Sequence, residues 1–293
     1  MNRRLEPENP SLWQCIAIAA AMFAFYWTLA ALAFPRDAAD SASQPDMSAL
    51  EAWAPTRDFR RCGDFLLSYD GRTRCARWTL ERLTPASLAG RPVDRTGLRF
   101  LVDRNVPPEF AAKPADYQGT GFDLGHCAAA ANHAGSLDQL RKTFTPANAA
   151  PQAAAFNRGP WRALESYLRG VAERTRGVWI VTAPLWLPAG HHQVCVRQEG
   201  EQCVDTRRVS FLRFEAIGEN IVWIPTHWGK AALIEHSDGR LEARAWLLAN
   251  VSGADQPAFE DHEVPVDRFE AAAGLDVFSP LPDDQEAALE RGQ

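Results

Sequence analysis

A histidine at position 126, an asparagine at 157 and a glutamate at 165 are the residue types that can hold one hydrated divalent cation beside a base. That is equipment for cutting a phosphodiester. His126 closes the stretch Thr120-Gly-Phe-Asp-Leu-Gly-His126, Asn148 follows after a polar turn, and Asn157-Arg-Gly-Pro-Trp-Arg-Ala-Leu-Glu165 comes next. Hydrolysis of such a bond needs an activated water, charge neutralisation on the phosphoryl oxygens and help for the departing oxygen. An imidazole with a pKa near 6.5 can take a proton from water at neutral pH, and a positioned general base gives about 10²–10⁴ in rate. Asn157 offers a neutral oxygen to a hard cation, and Mg²⁺ usually keeps several of its waters, so one direct protein oxygen suffices. Glu165, eight residues on, falls about 80° round a helix at roughly 100° per residue, near enough to hold one of those waters. A Cys127 nucleophile with His126 as its base is disfavoured, because neighbours on an extended segment point to opposite faces. Within Cys127-Ala-Ala-Ala-Ala131 that thiol reads as a small buried side chain.

These residues must be held by a scaffold, and its elements are readable. Pro160 to Glu173 has Pro in its first turn and Trp161, Leu164, Leu168 and Val171 at helical spacing, which predicts a helix with one apolar side. Arg176–Thr182, Val209–Glu215 and Asn220–Pro225 have the β-branched and aromatic content of strands, and Arg240–Leu248 fits a further one. Strands in succession with few helices between them predict an α+β domain on a mainly antiparallel sheet. No internal repeat is present.

The termini set the boundaries. Leu12 to Phe34 is 23 residues with only Gln14 and Thr28 polar, and a helix needs about 20 apolar residues to cross a bilayer. The reading is a short cytoplasmic N-terminus at 1–11, a transmembrane anchor or uncleaved signal at 12–34, and a linker at 35–57. A domain at 58–280 and an acidic tail at 281–293 follow. Arg3 and Arg4 before the apolar run place the bulk of the chain outside, in an extracytoplasmic space, with the membrane as a partner. Cysteines fit that placement: Cys62 and Cys75 flank Phe65–Asp70, Cys195 and Cys203 flank Arg197–Glu201, and two local disulfides are expected. The net charge of −6 argues against a nucleic-acid partner until it is located. Residues 255–293 carry eleven acids against Arg268 and Arg291, a net of −9; the remainder has 29 Lys and Arg against 26 Asp and Glu, a net of +3. Arg158, Arg162 and Arg169 lie near the candidate residues, so a locally basic groove is compatible with an acidic total.

The letters around these residues carry more. Asp116-Tyr-Gln-Gly-Thr-Gly-Phe-Asp-Leu-Gly-His-Cys-Ala-Ala-Ala-Ala-Asn-His133, Thr143-Phe-Thr-Pro-Ala-Asn-Ala-Ala-Pro-Gln152 and Phe156–Glu165 closely resemble the DNA/RNA non-specific endonucleases of the endonuclease G type. The resemblance runs on through Val178–Pro188, Ile224–Lys230 and Glu263–Glu270, covering roughly residues 60–280. It implies a ββα-metal (His-Me finger) nuclease fold and a sugar-non-specific endonuclease of DNA and RNA that uses Mg²⁺, with Mn²⁺ as the alternative, and dimerisation is common in the family. Position by position, His126 is similar to the family's general base, Asn157 to its metal ligand, Glu165 to the acid that holds a metal-bound water, and Asn148 to an asparagine that supports the catalytic site. Asp123 is expected to orient its neighbours, and Arg99, Arg158 and Arg162 to meet substrate phosphate, while His133 and His227 fall in family-like stretches without a catalytic role. One letter departs: the family has Arg where this chain has Leu124. A guanidinium that would meet phosphate is missing there, which sets a catalytically impaired protein that binds nucleic acid or a protein partner beside the enzyme as the alternative.

Overall fold

The middle strands of the central sheet are buried on both sides. In the computed structural model, which describes residues 46–253 and 257–290, seven strands pair antiparallel. Their order is β1 (Arg60–Cys62), β2 (Phe65–Asp70), β3 (Cys75–Leu83), β6 (Gly177–Leu185), β11 (His227–Glu235), β12 (Leu241–Ala249) and β13 (Glu263–Val264). Every residue of β6 is buried, because both faces are covered. Val178 and Ile180 enter one core with Trp161, Leu164 and Leu168, while Trp179, Val181 and Ala183 enter a second with Trp78, Leu233 and Phe269. The two-residue period therefore shows in where side chains go rather than in their polarity. Short strands at both ends leave little unpaired edge.

The chain between β3 and β6 carries the candidate residues. These two strands pair directly, Thr79 opposite Thr182, so residues 84–176 form an excursion from one side of the sheet. Within it, helix α2 (Leu137–Thr143) lies between the antiparallel strands β4 (Phe122–His126) and β5 (Ala149–Ala153). The short helix α3 (Ala154–Phe156), a π turn at Asn157–Trp161 and helix α4 (Arg162–Ala172) follow. A Cβ on Gly125 would fall 1.9 Å from the Gln152 side chain, so only glycine lets β4 lie this close to β5. Helix α4 buries Leu164, Leu168 and Val171 against the first core, each side chain giving about 1.5–3 kcal/mol. The helix expected over Pro160–Glu173 is present, but its start is irregular, because Gly159 has non-helical backbone angles. Counting 100° per residue from Asn157 to Glu165 therefore fails, and the kink, not the period, sets their relative direction.

Other expectations shift. Val209–Glu215 overlaps only the end of β8 (Gln202–Phe211), which forms an exposed two-stranded hairpin with β7 (Gly190–Glu199). Asn220–Pro225 shrinks to the two-residue β10 (Val222–Trp223), paired with β9 (Ala216–Ile217). Cys195 and Cys203 are joined across the hairpin, whereas Cys62 and Cys75 are free thiols. The expected second bridge fails because the two cysteines sit at opposite ends of β2, Cys62 opposite Phe65 and Cys75 opposite Asp70. At about 3.3 Å per residue that is too far for a disulfide. Part of the stretch expected as linker is helix α1 (Met47–Ala52), capped by Asp46, with Leu50 buried and Trp53 stacked 4.9 Å from Trp179. Helix α5 (Val266–Ala273) packs Phe269 into the second core, and in the acidic tail Leu281 and Leu289 of helix α6 (Asp283–Glu290) and its approach also pack there. Among the described residues no helix is long and apolar enough to cross a membrane; the expected anchor at 12–34 lies outside them.

Candidate active site

Strand β4 and the π turn before α4 meet at Asp123. Its carboxylate accepts from Asn157 Nδ2 at 2.9 Å and, in a two-pronged contact, from Arg158 Nη2 at 2.8 Å and Nε at 3.1 Å. So held, Asn157 lines a cavity of about 690 Å³ together with His126, Arg158, Arg162, Glu165 and Arg169. Arg162, Glu165, Ser166 and Arg169 face it from one side of α4, opposite the buried Leu164 and Leu168. The expected base, cation ligand and water-holding acid thus share one cleft.

His126 packs against two aromatic rings, Phe100 at 4.9 Å and Phe144 at 5.1 Å between centroids, which also touch each other at 5.3 Å. Burial, with the nearby charges of Arg95 and His133, lowers its pKa to about 4, so the ring is neutral at ordinary pH. Its Nε2 is buried and without a hydrogen-bond partner, which leaves Nδ1 for the cleft. Glu165 behaves in the opposite sense: burial raises its pKa, while Lys230, Arg169 and Arg162 pull it back. Lys230 rises from β11 and is 1% exposed, donating to Thr182 Oγ1 at 2.6 Å and lying 4.7 Å over the Trp161 ring. Burial lowers its pKa, and Glu165 and Glu81 act against that.

Two expected residues stand elsewhere. Asn148 is wholly buried and uses its side chain on backbone, accepting from Ala128 N at 2.9 Å and donating to Ala128 O at 3.0 Å and Thr143 O at 3.1 Å. It fixes the chain behind His126 rather than entering the cavity. Arg99 lies in a neighbouring cleft, not beside Arg158 and Arg162. Leu124 packs against the first core, so no guanidinium enters from that position, and Arg158 brings one instead. Cys127 is buried and its thiol pKa is driven up by that burial, which leaves no nucleophile. His227 stays outside the cleft, next to Thr226.

The sequence reading missed a buried polar chain beneath the cavity. His133 is held between Asp64 (Nδ1 to Oδ1, 2.6 Å) and Glu81 (Nε2 to Oε2, 3.0 Å). The same Glu81 oxygen accepts from Asn132 Nδ2 at 2.9 Å, and Asn132 Oδ1 accepts from Arg169 Nη1 at 3.0 Å. Burial opposes a charge on His133, but the two carboxylates overcome it and push the pKa up to about 10. The only sequence signal for this was the Asn132-His133 pair at the end of the family-like stretch. Among the described residues no three His, Cys, Asp or Glu side chains are grouped to hold a metal. A cation placed here would find oxygen donors in the Asn157 amide and the Glu165 carboxylate, which suit a hydrated Mg²⁺.

Residues 52–284 match the family described as DNA/RNA non-specific endonuclease. The mitochondrial Endonuclease G of Caenorhabditis elegans is 37% identical over 220 residues, covering 74% of this chain and 67% of that one. The human Endonuclease G, also mitochondrial, is 36% identical over 216 residues with the same two shares, 74% and 67%. Among solved structures, an EndoG/EndoGI complex determined to explain EndoG inhibition is similar at 32% identity with a TM-score of 0.72, covering 83% of this chain and 96% of that one. The relatives are named as mitochondrial nucleases, which corrects the expected membrane-anchored, extracytoplasmic placement.

Proposed function

The chain belongs to the DNA/RNA non-specific endonuclease family and is a nuclease of the ββα-metal fold, and on that premise we propose that His126 is its general base and Asn157 its direct ligand for Mg²⁺. The observation that carries this reading is the shared cavity, in which His126, Asn157 and Glu165 converge from β4, the π turn and α4. His126 Nδ1, with the proton held on Nε2, takes a proton from the attacking water. Asp123 holds Asn157 and Arg158 in register, so that the amide oxygen would meet the cation and the guanidinium a phosphate oxygen beside it. Arg162 and Arg169 add positive charge around the phosphoryl oxygens, and Glu165 orients water next to Asn157. Mg²⁺, or Mn²⁺ in its place, supplies Lewis-acid neutralisation of the phosphoryl oxygen and of the leaving oxygen when bound.

DNA and RNA are the proposed substrates, with internal cleavage and no sugar preference. Arg158 answers the loss of the motif arginine at Leu124, which is why we favour an active enzyme over an impaired binding protein. Incubation with supercoiled plasmid and with structured RNA, in Mg²⁺ and in chelator, tests the assignment. Nicking of both in Mg²⁺, lost in His126→Ala and Asn157→Ala, is the expected result. Full activity in Asn157→Ala would remove the ligand assignment.

A further inference from the structure

Next to the catalytic cavity lies a second cleft of about 610 Å³ whose walls are strongly cationic. Arg60 and Arg61 enter it from β1, Arg99 from the preceding loop, and Arg141 and Lys142 from α2, against the single lining carboxylate of Asp103. This concentration of charge stands in a chain of net −6. Asp103 is committed to Arg60 in a two-pronged pair, Nη1 to Oδ1 at 2.8 Å. Arg61 and Lys142 reach Glu51 and Asp138 at the surface, pairs worth little in water. Arg99 and Arg141 are exposed and have no acidic partner among the described residues.

The two cavities share their walls. Helix α2 turns Leu140 to the catalytic cavity and Arg141 to the second cleft, and the loop before β4 gives Pro92–Arg95 to the first and Gly97–Arg99 to the second. Phe144 stands between them, lining the second cleft while its ring lies 5.1 Å from that of His126. A chain leaving the base along α2 therefore passes from one cavity into the other. Exposed Leu101 and Val102 give the second cleft an apolar rim beside its arginines. Planar guanidinium forks suit phosphate oxygens, and apolar surface suits the faces of sugars and unstacked bases.

We propose that this cleft is a second nucleic-acid site that grips the phosphate backbone of the strand flanking the cut, so that the enzyme favours long polynucleotides over short ones. The proposal rests on the nuclease reading above and adds a chain-length preference to it. A polymer is held at both cavities, whereas a small diester reaches only the His126 cavity. Arg99 and Arg141 act here by binding, not by chemistry.

The double variant Arg99→Ala/Arg141→Ala separates the two sites. On long DNA its kcat/KM should fall at least tenfold further than on bis(p-nitrophenyl) phosphate, chiefly through KM. Binding of a 30-nucleotide single strand in chelator should show a salt dependence shallower by about 1.4, at roughly 0.7 for each phosphate that no longer meets a guanidinium. Arg99→Lys/Arg141→Lys keeps the charge and should restore most of that slope, and matching thermal melts exclude unfolding as the cause. Equal losses on polymer and small diester, or an unchanged salt slope, would overturn the proposal. If the wild type turns over neither substrate in Mg²⁺ or Mn²⁺, the nuclease assignment fails. The binding arm then still decides the cleft: a shallower slope supports it and an unchanged slope refutes it.

Discussion

Phe100 and Phe144 do more than fill space beside His126. Their apolar bodies are part of the burial that, ahead of Arg95 and His133, holds the imidazole pKa at about 4. As the proposed base it is unprotonated above that value, so the acid limb of kcat/KM at saturating Mg²⁺ should lie near pH 4 rather than at the ordinary 6.5. Phe144→Ala admits water and should move the limb upward; a wild-type limb centred on 6.5 would contradict this account. Asp123→Asn weakens the fork that holds Arg158 and the anchor of Asn157. It should lower kcat roughly 10²-fold and raise the Mg²⁺ concentration needed for half-maximal rate, and wild-type kinetics in this variant would end its positioning role. At this scale the site was legible where its letters are close in sequence, as with Asp123, His126, Asn157 and Glu165. It was not legible where side chains converge from distant strands: Glu81 comes from β3 and Lys230 from β11, and each alone reads as an ordinary surface charge. Nothing in the letters around Arg99 says which side of its loop it faces.

The elements under the site are tied by the buried line from Asp64 through His133, Glu81 and Asn132 to Arg169. It joins the turn before β2, the strand β3, a 3₁₀ turn at Ala130–His133 and helix α4. Removing one partner of a buried charged pair costs about 3–5 kcal/mol, because the other charge stays behind. His133→Ala, which strands Glu81 and Asp64, should therefore shift the urea midpoint down by a corresponding amount with an unchanged m-value, and a midpoint equal to the wild type would show that the imidazole is dispensable. The strands β6 and β12 were legible from β-branched and aromatic content because burial and propensity agree there. The hairpin β7–β8 was harder to read, since its residues are almost all exposed and its pattern answers to pairing alone. The π turn was missed because Gly159 and Pro160 are as compatible with a plain helix start as with a kink.

For the molecule as a whole, two histidines bend stability in opposite directions. His133, raised from 6.5 to about 10, contributes stability that is complete below pH 6.5 and is lost as pH rises toward 10. His126, lowered from 6.5 to about 4, contributes stability that is present above pH 6.5 and is lost as pH falls toward 4. The melting temperature should therefore decline from pH 7 to 10, and less steeply in His133→Ala. Identical alkaline slopes in the two proteins would remove His133 as the source. The direct pairing of β3 with β6 also has a consequence for synthesis. A nascent chain that has reached Ala172 already carries His126, Asn157 and Glu165, but neither β6, on which α4 rests, nor β11, which brings Lys230 beneath them. The cleft that gathers these side chains therefore has its full support only once the chain has been made through Glu235, and a copy cut short before β11 carries the letters of the site without the strands that seat them.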